Sequence, residues 1–117
     1  MTSTTTSAGA TVEVKALARF FRVLGDPTRL DILRLLGERE LTVAELVDAL
    51  DVPRSRVSNH LACLRHCQFV EAMPEGRSVR YRLSGGDLEA LMEEASAAAD
   101  CRAEHLSSCE RIGPAWL

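Results

Sequence analysis

Cys63 and Cys67 stand four residues apart in the run HLACLRHCQFV, His60 to Val70. On a helix this spacing sets the two Cβ atoms ~5–6 Å apart on one face. Bonds of ~2.3 Å to zinc, or somewhat longer to larger soft ions, would let two thiolates share one metal ion across that gap. Two more cysteines, Cys101 and Cys109, follow in a polar C-terminal stretch. They are eight residues apart, ~12 Å along a continuous helix, so both reach one ion only if the helix ends between them. The serines, Gly113 and Pro114 of HLSSCERIGP disfavour helix and place that end there. His66 and His105 adjoin the cysteines as minor donors or plain surface residues. An all-sulfur donor set selects soft ions: cadmium, lead, mercury, arsenite or copper(I), with zinc also accommodated. The competing structural reading is that each free cysteine serves as a small hydrophobe.

The same helix carries a second kind of chemistry at its front. Arg54, Ser55, Arg56, Ser58, Asn59 and His60 open it, and Ser55, Arg56 and Asn59 share a face opposite Val57 and Leu61. Arginine pairs with guanine O6 and N7, asparagine with adenine N6 and N7, and serine or a helix N-terminus suits phosphate. Net charge is −3, which argues against a polyanionic partner, but its distribution argues for one. Between Arg54 and Arg82 six arginines face two acids, whereas seven acids face one arginine between Asp87 and Glu110. A local basic stripe is what phosphate binding requires.

These residues need elements to hold them. Thr2 to Thr11 is small and polar, which reads as a disordered tail over 1–11. Val14, Leu17, Ala18, Phe21 and Leu24 predict a first helix over Val12–Leu24. Asp26 can cap a second helix, Pro27–Leu36, with Pro27 at its first position. GERELT reads as a turn, and Thr42 with Glu45 forms a capping box for VAELVDAL. Pro53 opens the helix Pro53–Cys67, buried through Val57, Leu61 and Leu64. Two helices joined by so short a break form the helix-turn-helix pattern. The period then changes to that of strands, Phe69–Met73 and Ser78–Leu83, around the turn PEGR, in which Gly76 supplies a positive φ and Arg77 marks the tip. Arg77 there could reach a flanking phosphate or the minor groove. A last helix, from Ser84 or Asp87 to Asp100, follows. The fold class is therefore mainly α with a small β-hairpin, a winged helix-turn-helix domain over 12–100, and a tail over 101–117.

LGDPTRLDILRLL, TVAELVDAL, RSRVSNHLACLR and EGRSVRYRL, in this order, resemble the ArsR/SmtB family of bacterial metal-responsive repressors over Leu17 to Leu83. The resemblance implies a homodimer built through the first and last helices. It also implies an operator-bound repressor of a resistance or efflux operon, released by an inducer. One inducer site of that family needs cysteines in the first helix of the helix-turn-helix, and AELVDAL has none. Another needs aspartate and histidine pairs on the last helix; Asp87 is present, but no histidine lies between Ser84 and Asp100. CLRHC is similar to CLRGC in a cadmium- and lead-sensing member, whose third cysteine comes from the C-terminal tail. The resemblance thus implies Cys63 and Cys67, completed by Cys109, Cys101 or both. The inducer it implies is cadmium or lead, with mercury, arsenite and zinc as alternatives. Measured from Tyr81, Cys109 is nearer the position of that member's tail cysteine.

Other functions are bounded by the same residues. The N-terminal MTSTTTSAGATVEV lacks the basic start and apolar run of a secretory signal, and no apolar run approaches the ~20 residues of a membrane span. A cytoplasmic location is expected, in which thiols stay reduced and a disulfide framework is disfavoured. A thiol redox switch on the same cysteines is the second functional reading. A winged helix that binds only protein is a third. No nucleophile with a base and no phosphate loop is visible, and an enzyme is not expected.

Overall fold

The computed structural model describes residues 12–109, so the expected disordered tail at 1–11 lies outside the described residues, as do residues 110–117. Six helices and three short strands follow in the order α1 Val14–Leu24, α2 Pro27–Glu38, β1 Leu41–Thr42, α3 Val43–Leu50, α4 Arg54–His66, β2 Val70–Glu75, β3 Ser78–Leu83, α5 Gly86–Asp100 and α6 Ala103–Ser108. This is a winged helix-turn-helix architecture.

Capping chemistry sets most boundaries. The Asp26 carboxylate accepts the Arg29 backbone N–H at 3.0 Å, and Pro27 follows it in the first turn of α2. Thr42 Oγ1 accepts from Glu45 N at 3.2 Å while Thr42 N donates to Glu45 Oε1 at 2.8 Å, the reciprocal capping box. Helix α4 ends in a Schellman motif. Gln68 N donates to Arg65 O at 3.1 Å and Phe69 N to Leu64 O at 2.8 Å, with Gln68 left-handed at φ 67° and buried Phe69 following Leu64 into the core. Cys67 is the C-cap residue of this motif, and its N–H still bonds Cys63 O at 2.9 Å.

The strands form one antiparallel sheet of order β1-β3-β2. Leu41 pairs with Tyr81 and Thr42 with Arg80, so part of GERELT, read as a turn, is a strand. Two residues are too few for any period to show. Glu75 pairs with Ser78, which leaves Gly76 and Arg77 as a two-residue hairpin loop, Gly76 at φ 60°. Pro74 interrupts nothing, because β2 is an edge strand.

The core is aliphatic: Ile32, Leu33, Leu41, Leu46, Val57, Leu61 and Leu64 are each less than 2% exposed. Burial of one such side chain contributes ~1.5–3 kcal/mol, so this cluster fixes α2, α3 and α4 against the sheet. Helix α1 departs from expectation. Of its apolar stripe only Leu24 is buried, while Val14 is 80%, Leu17 46% and Phe21 51% exposed. Phe20 and Val23, off that stripe, make its contacts with the core instead. The expected stripe faces away from the chain's own core.

Candidate nucleic-acid interface and thiol site

Burial of Val57, Leu61 and Leu64 turns the opposite side of α4 outward. Arg54, Ser55, Arg56, Ser58 and Asn59 are all exposed on it. His60 is half-buried and faces Asp26, Nε2 to Oδ2 3.6 Å, so it leans on the cap of α2. Arg77 is exposed at the wing tip.

The basic stripe divides into free and engaged charges. Arg80 Nη2 lies 3.1 Å from Glu75 Oε1, and Nη1 lies 3.5 Å from Glu45 Oε1. Arg82 Nε lies 2.8 Å from Glu71 Oε1 and Nη1 3.9 Å from Glu40 Oε2. Both guanidiniums are held above their ordinary pKa, chiefly by hydrogen bonds to Glu75 and Glu71 respectively. Among the described residues Arg54, Arg56 and Arg77 form no ion pair. Exposed Arg65, in the last turn of α4, forms none either, so within the stripe the available positive charge lies at both ends of α4 and at the tip of the hairpin. The sequence count of six arginines did not separate these from the two that staple the sheet.

The thiols occupy the other end of α4. Cys63 is half-buried and Cys67 exposed. Loss of water around the Cys67 thiol raises its pKa, followed by the proximity of Cys63 and a hydrogen bond between the two sulfurs; the charge of Arg29 pulls the other way. The two thiols are thus near enough to perturb one another, and a metal ion using Cys67 must displace its proton. Cys67 also lines a cleft of about 200 Å³ with Phe20 of α1, Gln68, Phe69, and Ser84, Asp87 and Leu88 at the head of α5.

The tail departs from expectation in where its helix breaks. Helix α5 stops at Asp100, with Cys101 as its C-cap, and α6 then runs through His105 and the serines to Ser108. The hydroxyls of Ser107 and Ser108 bond back to Glu104 O, both at 3.0 Å, and so sit within a helix they were expected to end. A break does separate Cys101 from Cys109, but at Cys101–Arg102. Cys101 is exposed and Cys109 half-buried at the end of α6. Among the described residues no group of three or more Cys, His, Asp or Glu side chains is placed to hold a metal ion. One chain therefore brings Cys63 and Cys67 together and does not bring Cys101 or Cys109 to them. Two adjacent thiols suit a soft cation.

The model of bacterial regulatory proteins of the arsR family matches residues 26–72. A Streptomyces lividans protein named "Probable mercury resistance operon repressor" is 40% identical over 95 residues, covering 81% of this chain and 76% of that protein. The transcriptional regulator CmtR of Mycobacterium tuberculosis is 47% identical over 79 residues, 68% of this chain and 67% of that one. Among solved structures, the homodimeric winged helix-turn-helix DNA-binding domain Mb0332 of Mycobacterium bovis aligns with TM-score 0.69 and 30% identity, over 84% of this chain and 95% of that domain.

Proposed function

The chain belongs to the arsR family of bacterial transcriptional regulators and is not an enzyme, and from that premise we propose that it is a dimeric operator-binding repressor released from DNA when a soft metal ion binds the thiolates of Cys63 and Cys67. In the dimer, α1 and α5 of two copies pack together. Each α4 enters a major groove through Arg54, Ser55, Arg56, Ser58 and Asn59, with His60 at the edge of that set, and Arg77 reaches the flanking backbone. The exposed apolar stripe of α1 supports the dimer. The unpaired arginines support the groove contact.

The observation that carries the metal reading is the placement of two neighbouring thiols, one in the last turn and one at the C-cap, on the helix whose N-terminal half bears the exposed basic face. A cysteine of the tail, Cys109 or Cys101, completes the site from the same or the partner subunit. Three thiolates suit lead or arsenite and four suit cadmium or zinc; cadmium or lead is the inducer proposed first, mercury next in view of the Streptomyces relative. Joining α4 to the tail shifts the reading heads or stiffens them in a poor geometry, and a coupling of ~1–3 kcal/mol is typical of such a switch. Thiols that stay reduced and DNA as partner fit a cytoplasmic protein.

A Cys63→Ser protein tests this. It keeps its affinity for a duplex taken from the promoter of its own operon and is no longer released by cadmium. Release by cadmium at the wild-type concentration would place the site elsewhere. The proximity of the two sulfurs also favours a second reading, oxidation of both thiols by hydrogen peroxide to a disulfide and water. Loss of DNA affinity under peroxide without metal, reversed by a thiol reductant, would select it.

A further inference from the structure

One residue ties the end of α1 to the cap of α2, which in turn faces α4. Arg29, in the first turn of α2, donates from Nε to Val23 O at 2.6 Å and from Nη2 to Arg22 O at 3.4 Å. These are carbonyls of the last turn of α1, which a helix end leaves without intrahelical donors. Arg22 O is shared with the N–H of Gly25, at 3.1 Å. Through its own N–H, Arg29 holds the Asp26 carboxylate, and that carboxylate faces His60 in the middle of α4. Phe20, in the same last half of α1, shares the cleft with Cys67 and packs on Phe69 with ring centroids 5.1 Å apart. Helix α1 carries the exposed apolar stripe, and α4 carries both the reading face and the thiols.

We infer that Arg29 is the positioning residue that transmits closure of the Cys63–Cys67 pair to the end of α1, and so from the metal site to the dimer helices. The inference rests on the metal reading above and adds its route. Without metal, the guanidinium caps α1 and fixes its exit relative to α2. Drawing the two sulfurs and a tail cysteine around an ion moves the C-cap of α4 against Phe20, on the helix whose end the guanidinium caps. Its hold on Arg22 and Val23 loosens, and α1 turns relative to the reading head. Asp26 and His60 give the same movement a second handle on α4. A coupling that depends on one bistable contact is a two-state element biased from both sites.

The test uses the full-length dimer, cadmium as the metal, and a duplex from its own promoter. In the wild-type protein, cadmium produces thiolate–metal absorption and weakens DNA binding, and the Gly25 amide exchanges several-fold faster with solvent deuterium. Arg29→Met and Arg29→Lys proteins keep the absorption titration and the metal-free DNA affinity within about threefold of wild type. In Arg29→Met the cadmium-induced loss of DNA affinity shrinks by about fivefold or more, within the range a typical coupling spans; the lysine, with one donor group for α1, falls between. Full cadmium-induced release in Arg29→Met overturns the inference while leaving the metal site standing. Should Arg29→Met fail to fold, unchanged Gly25 exchange in cadmium-loaded wild type overturns it equally. Absence of thiolate–metal absorption in wild type removes the metal reading and this inference with it.

Discussion

Gln68 adopts φ 67°, a conformation usually left to glycine, one residue beyond Cys67. Its carbonyl accepts the Ser84 hydroxyl at 2.7 Å, tying the cap of α4 to the head of α5. A non-glycine residue in this region carries a penalty of ~1–2 kcal/mol, partly offset by the greater unfolded-state freedom of glycine. Gln68→Gly is therefore expected to stabilise the metal-free protein by roughly 0.5–1 kcal/mol, read as a higher urea midpoint at unchanged m-value. A lower midpoint would mean that the glutamine side chain contributes more than its backbone costs. Nothing in the sequence marked this residue, because glutamine is not a turn signal. The cysteine pair, in contrast, was legible from spacing alone, since i, i+4 geometry survives even at a C-cap.

Helix α3 illustrates what local chemistry makes legible. TVAE encodes a capping box, and the box is present with both hydrogen bonds. The backbone N–H of Thr42 holds the Glu45 carboxyl below its ordinary pKa, with Arg80 adding to the effect against some loss of water. A folded-state pKa below the unfolded value means that the stabilisation is present above about pH 4.5 and is lost as pH falls through the folded value. Glu45→Gln should then be less stable than wild type at neutral pH, and the gap should close in acid, as urea unfolding at the two pH values would show. A gap that stays constant would assign the loss to packing. Elements shaped by distant partners were less legible. Strand β1 exists because Leu41 and Thr42 meet Tyr81 and Arg80, forty residues on. Helix α6 forms across two serines whose hydroxyls find Glu104 O. The order of helices and wing was readable because caps, Gly76 and the change of period act locally.

At the scale of the molecule, the apolar face of α1 lacks a partner among the described residues. Val14, Leu17 and Phe21 are all close to half exposed or more, and their helical spacing makes one continuous stripe. Such a stripe reads as an association surface. Phe21→Glu should convert a dimer to a monomer by sedimentation while leaving the fold of α2 to α5 intact. DNA affinity should then fall steeply, because two reading heads no longer bind as one unit. A variant that stays dimeric would move the interface away from α1. The tail cysteines belong to this scale too, for among the described residues they form no donor group with the thiol pair. Sequence could name them as candidates but could not place them, since their position depends on how α5 ends and on the assembled dimer.

The most direct test is a cadmium titration of the reduced, full-length protein bound to its own promoter duplex, with thiolate–metal absorption and DNA occupancy followed together. Absorption is expected to grow as DNA is released, with both signals lost in Cys63→Ser. Growth of the absorption with DNA occupancy unchanged would contradict the proposed function, as would release of DNA without any thiolate–metal signal.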